Sequence, residues 1–176
     1  MKNIRTVLIF LLAGLILSSC GTSNRAERKA AKEAERQAIV ATLEQCNFDL
    51  EITRILPRGY PSRQTLGEYK LSLKDGVVDT RLPYIGDSYS ATIGGEEISV
   101  VFNKEKVTVL KDFSLAASQG KYLYQFKGGE GHYKWTVDIQ IFDSGSATIT
   151  CSCSDGRFMG YYANLVLPNG DENGQE

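Results

Sequence analysis

The sequence predicts a mainly β protein, an antiparallel meander of about eight or nine short strands led by one N-terminal α-helix. From Phe48 onward, apolar residues recur at every second position, the period of a strand with one buried face. These runs are broken by Gly, Pro, Asn and Asp, which supply turns. No helix-length segment falls between them, so strand–helix–strand units and a parallel sheet are not expected. A meander of this length hides its edges by curling into a barrel or folding over as a sandwich. A barrel-like or strongly curled sheet is expected, partly covered by the helix.

Each element has its own reason. Phe48, Leu50 and Ile52 alternate with Asp49, Glu51 and Thr53, and Pro57-Arg58-Gly59-Tyr60-Pro61 ends that strand. Tyr69, Leu71 and Leu73 lead to Asp75-Gly76, a two-residue hairpin turn into Val77–Leu82. Ile98–Phe102 is expected to turn through Asn103–Lys106 into Val107–Leu110. Tyr122, Tyr124 and Phe126 alternate up to Gly128-Gly129-Glu130-Gly131. Next come Tyr133, Trp135, Val137, Ile139 and Ile141, then Ala147, Ile149, Cys151 and Cys153, then Tyr161, Ala163, Leu165 and Leu167.

Ahead of the strands, Asn24–Gln45 is rich in Ala, Glu, Lys, Arg and Gln, all good helix formers. Asn24 followed by Glu27 is a capping signal. Only Ile39, Val40, Leu43 and Cys46 offer sizeable apolar side chains, so the first half is expected to stand in solvent as a stalk and the last two turns to dock. Farther upstream, Val7–Leu17 is an apolar run preceded by Lys2 and Arg5 and followed by Ser18-Ser19-Cys20. It is too short to span a bilayer comfortably and reads as a secretory signal peptide. Leu17-Ser18-Ser19-Cys20 resembles the lipobox of bacterial lipoproteins, which implies cleavage before Cys20 and acylation of that cysteine. Acyl chains, at ~0.8 kcal/mol per buried methylene, would hold the protein on its membrane. The expected division is a signal peptide (1–19), a lipidated cysteine with spacer and charged helical stalk (20–46), a β domain (47–168) and a disordered tail (169–176).

Without residues 1–19, 18 basic residues face 21 acidic ones, a net of −3. No basic surface dominates, so nucleic acid is not expected as a partner. Once Cys20 is acylated, Cys46, Cys151 and Cys153 remain; one pair involving Cys46 could be oxidised, but small apolar core residues are the favoured reading.

Leu82-Pro83-Tyr84-Ile85-Gly86-Asp87-Ser88-Tyr89, followed by Gly94-Gly95, resembles a Bacteroidota lipoprotein family that carries a single domain of unknown function. That family's strand ends in Leu-Pro-Tyr-aromatic-Gly-x-x-Tyr; here Ile85 replaces the aromatic. Leu56-Pro57, Ile141–Ala147 and Tyr161-Tyr162 match as well. The resemblance implies an exported all-β envelope lipoprotein and offers no catalytic residues. By similarity to lipoprotein sorting signals, Gly21 with no following run of acids implies the outer membrane and its periplasmic face, with the cell surface left open.

No catalytic constellation emerges. His132, the single histidine, sits beside a glycine-rich turn with no acid or nucleophile placed near it by sequence. A zinc site of His132 with the three cysteines is weak, because Cys151-x-Cys153 lacks the usual spacer. Asp79, Asp87, Glu96 and Glu97 lie in or near turns, where acids are commonly solvated. Gly128–Gly131 joins two strands and opens no helix, unlike a phosphate loop. No cofactor or metal is expected. Tyr84 and Tyr89 are candidate residues of an aromatic binding lip, although packing is the better explanation of both. Two functions stand above an enzyme: a non-catalytic module that binds an envelope protein or glycan, and a barrel enclosing a small apolar ligand among Tyr122, Tyr124, Phe126, Tyr133 and Trp135. A ligand-sized cavity would favour the second; a filled interior with an exposed apolar patch would favour the first.

Overall fold

A computed structural model describes residues 23–85, 99–130 and 134–167. The first element is helix α1 (Ser23–Gln45), and the chain separates into two units between Gln37 and Ala38. In the first unit the described helix side chains are exposed, as their charged and alanine-rich composition requires. In the second, the last two turns bury Ile39 and Leu43 and half-bury Val40. Cys46 ends the helix in the left-handed conformation with φ 57°, and its N–H donates to the Leu43 carbonyl at 3.0 Å. Glycine usually takes such a position, because a Cβ there is crowded.

Ten strands follow among the described residues: β1 (Phe48–Pro57), β2 (Arg63–Gln64), β3 (Lys70–Lys74), β4 (Val77–Pro83), β5 (Ser99–Lys106), β6 (Leu110–Asp112), β7 (Lys121–Gly128), β8 (Trp135–Phe142), β9 (Ser146–Cys153) and β10 (Phe158–Val166). A one-turn helix, α2 (Ala116–Gln119), precedes β7. The strands form one antiparallel sheet in the order β5-β4-β3-β1-β10-β9-β8-β7-β6, with β2 on β1. The expected mainly β architecture with an N-terminal helix is what the chain adopts, as a curled half-barrel. Consecutive strands pair from β3 to β5 and from β6 to β10, as in the expected meander, and β1 lies between β3 and β10, so the first strand of the sheet pairs with the last.

The Asp75-Gly76 hairpin forms as expected, with φ 52° and 75° at its two central residues, the backbone of a type I′ turn. The turn expected at Asn103–Lys106 does not form. There β5 runs straight on, and Lys104, at φ 48°, marks a bulge. Across it, Val78 faces Glu105 and Thr80 faces Phe102, so one residue of β4 spans two of β5. Asn103 followed by Lys104 in the left-handed region resembles a turn locally, but pairing to β4 on both sides keeps the strand going. Val107–Val109 consequently bridge β5 to the short β6 and are not themselves the expected strand.

Curling brings distant strands together on the inner face. Phe102 on β5 meets Phe126 on β7 edge to face at 5.4 Å, although six strands separate β5 from β7 along the sheet. Phe48 on β1 meets Tyr124 on β7 at 5.1 Å. Edge-to-face packing at these separations is favourable beyond simple area burial. Tyr124 also donates its hydroxyl to the Leu43 carbonyl at 2.7 Å, a second bond to an acceptor at the helix end that also takes the Cys46 N–H. Burial, together with nearby Cys46, pushes the Tyr124 phenol well above its usual pKa, so it stays a donor at every ordinary pH.

The two margins of the sheet meet at a seam. The Glu130 N–H donates to the Val101 carbonyl at 3.0 Å, and the Gly129 N–H donates to the Glu105 carboxylate at 2.8 Å. Gly128 is needed for this approach: a Cβ there would lie 2.6 Å from Glu105 Oε1 and 2.9 Å from Phe102 Cε1. We therefore expect Gly128→Ala to destabilise the protein by about 1–3 kcal/mol, the usual cost of overpacking. Urea unfolding would measure it, and unchanged stability would contradict the seam packing.

Candidate functional site

The end of the sheet where β4 and β10 approach each other gathers Tyr60, Leu66 and Phe158, three of the five exposed large apolar side chains among the described residues. Pro83 closes β4, and its carbonyl accepts the hydroxyl of buried Tyr161 from β10 at 2.9 Å. That bond fixes where the chain leaves the sheet. Tyr84 follows, half-buried, its ring 6.0 Å from that of Trp135 and tilted by 46°. Trp135 is only 1% exposed, so Tyr84 covers the end of the aromatic core.

Two surface clefts adjoin at Tyr84 and Ile85. One, about 320 Å³, is also lined by Arg63–Leu66 and Tyr69. The other, about 530 Å³, is completed by Arg58, Gly59, Tyr60, Gly156 and Phe158. Leu66 is 91% exposed, Tyr60 46% and Phe158 39%. Turn chemistry sets these side chains out. Gly59, at φ 81°, turns the chain after β1, and Gly156, at φ 90°, turns it before β10. Asp155 accepts the Arg157 N–H at 3.1 Å and faces its guanidinium at 3.1 Å, which stiffens the turn beneath Phe158. The Asp155 carboxyl feels slight desolvation, but these hydrogen bonds outweigh it and hold its pKa below the usual value.

Tyr84 thus packs on Trp135, as the sequence favoured, and also lines both clefts. Tyr89, the other candidate lip residue, lies outside the described residues, as do Cys20, His132, Tyr133, Asp87, Glu96 and Glu97. Tyr60, Leu66 and Phe158 were not anticipated as site residues. Their signal in the sequence was weak: Tyr60 and Leu66 are single apolar residues in turn or loop segments, and Phe158 is the first residue of a strand.

The remaining candidates are dispersed. Cys46, Cys151 and Cys153 are free and buried, with Cys46 ending α1 and the other two on β9. The oxidised pair is not formed. Burial, reinforced by the charge of Asp138, pushes the Cys151 thiol well above its usual pKa, so it is an inert core group. Among the described residues no three His, Cys, Asp or Glu side chains gather as a metal would need. Asp79 is exposed and lines a cleft with Asp49, Lys70 and Arg81, where both signs of charge mix. In the glycine-rich loop the Gly129 N–H is already taken by Glu105, so it is not offered to a phosphate. The inner rings fill the space an enclosed ligand would occupy: Tyr122, Tyr124, Phe126 and Trp135 are 6%, 2%, 1% and 1% exposed.

Residues 30–165 match the model of a domain of unknown function, DUF4251. No curated protein matches the chain. Among solved structures, the crystal structure of a DUF4251 family protein from Bacteroides eggerthii DSM 20697 is similar, with a TM-score of 0.55 at 15% identity. It covers 78% of this chain and 91% of that one. At that identity the likeness speaks to the fold.

Removing the Tyr84 ring separates its two roles. Tyr84→Ala is expected to destabilise the protein by about 1–3 kcal/mol through lost ring packing. It should also red-shift the emission of Trp135, the only tryptophan. Unchanged stability and emission would show that Tyr84 is a free lip.

Proposed function

The chain belongs to the DUF4251 family, and from that premise we propose that it is a lipid-anchored envelope protein acting as a non-catalytic binding module. In this reading Cys20 carries the anchor, the protein sits on the periplasmic face of the outer membrane, and the end of the sheet around Tyr84 and Ile85 receives an envelope partner. One observation carries the proposal: Tyr60, Leu66 and Phe158 stand exposed around two adjoining clefts while the interior is packed with rings. A gathered apolar surface of this kind is what recognition sites present. The filled interior favours a surface partner over an enclosed apolar ligand. The anchor rests on the sequence alone, on an apolar run with basic residues ahead of it and Leu17-Ser18-Ser19-Cys20 at its end.

Two tests address its two halves in living cells. Wild-type protein is expected to fractionate with the outer membrane and to carry acyl mass on Cys20; Cys20→Ala should lose both, and unchanged size and fractionation would refute the anchor. A photo-crosslinking residue placed at Tyr60 or Phe158 is expected to give discrete envelope adducts, whereas one at exposed Ser118 should not. The same adducts from all three positions would refute the binding face.

A further inference from the structure

A second site lies on the outer face of the sheet, away from Tyr84. Side chains that alternate outward from β7, β8 and β9 bound a cleft of about 350 Å³, with β6 forming one wall. This is at the lower end of the ~300–1,000 Å³ range of small-ligand sites. The strand register places its polar groups in order. Gln125 faces Asp138 across β7 and β8, and Asp138 faces Thr150 on β9. In the next row Leu123 faces Gln140, which faces Thr148.

From this geometry we infer that the cleft is a binding site for a neutral saccharide. The cleft is rich in hydrogen-bonding groups. Gln125 donates to Asp138 at 2.6 Å, which holds both side chains in place and leaves the amide oxygen and the second carboxylate oxygen available. Gln140, Thr148 and Thr150 are half-buried and make no side-chain hydrogen bond among the described residues. Amides and hydroxyls both donate and accept, which is the pattern that sugar hydroxyls present in return. Unused polar groups in a hollow gain from a ligand able to satisfy both capacities.

Its charges are balanced against anions. Lys111 on the wall is opposed by Asp112 and by Asp138 on the floor, so the site has no positive excess to attract a phosphate or an acidic polymer. On the floor, β7 and β8 are paired on both sides and their backbone groups are committed to the ladder, so a peptide cannot add there as a strand. Apolar contact is available nevertheless. Leu123 lines the floor, Leu110 on the wall is 60% exposed, and Tyr162, 47% exposed, is the direct cross-strand neighbour of Thr148. Its ring extends the same face and offers an apolar surface to the C–H face of a sugar.

The test uses the full-length chain in mild detergent, titrated by NMR with maltohexaose, cellohexaose, mannohexaose and xylohexaose, and with an oligogalacturonate as the acidic counterpart. At least one neutral hexasaccharide is expected to shift the side-chain amide signals of Gln125 and Gln140 saturably, and more strongly than the acidic one. Gln140→Ala, a half-exposed position outside the core, should weaken that binding about tenfold or more, as expected for a lost ligand hydrogen bond. Absence of shifts with all four neutral sugars, shifts confined to residues around Tyr84, or equal response to the acidic oligomer would overturn the assignment.

Discussion

A single stretch of chain, Ser99–Asp112, holds both margins of the sheet. Its first part pairs with β4 as β5, and its last part pairs with β7 as β6, so the two ends of a nine-strand path are joined by three residues. A flat sheet cannot satisfy that connection; the strands must curl until β5 and β7 face each other. The Lys104 bulge adds the local bend, as an extra residue on one strand does. The Glu130 and Gly129 N–H groups then close the gap by bonding to Val101 and Glu105. Once curled, the sheet leaves as edges only short or partly stitched strands, which limits the surface open to edge-to-edge association.

The same curl explains why recognition is assigned to the outside. Aromatic residues on facing strands meet across the interior and occupy it, with the last turns of α1 sealed over them through Leu43 and the Tyr124 hydroxyl. Burying that hydroxyl unpaired would cost on the order of 1–3 kcal/mol, so helix and sheet specify each other's position. At the other end, turn residues hold Tyr60 and Phe158 in solvent. On the outer face, short polar side chains leave a hollow beside β6.

Much of the fold was legible because it is written in local alternation. The phase of Phe48–Ile52, Trp135–Ile141 and Ala147–Cys153 matches the buried and exposed faces. Asp75-Gly76 named its own turn, and the change from exposed charges to Ile39 and Leu43 located where α1 docks. Long-range choices were not legible. The placement of β1 between β3 and β10 depends on non-local pairing, and Asn103-Lys104 has the local chemistry of a turn whether or not β4 continues beside it. Sites were harder still. Tyr84 stood out by its motif, but Tyr60 is a single residue in a turn and Phe158 a strand's first residue, and Gln125, Gln140 and Thr150 look like any outward strand positions until the register aligns them. His132 and Tyr89 lie outside the described residues.

The seam is the feature on which the curl, the filled interior and both outward sites depend, and native-state hydrogen exchange probes it directly. The Glu130 amide, bonded to Val101, and the Val107 amide, bonded to Gly76, are predicted to exchange only through global unfolding, with the same free energy as the central amides of β8 and β9. Fast exchange at Glu130 and Val107 while β8 and β9 stay protected would contradict the account, because the margins would then open independently of the sheet.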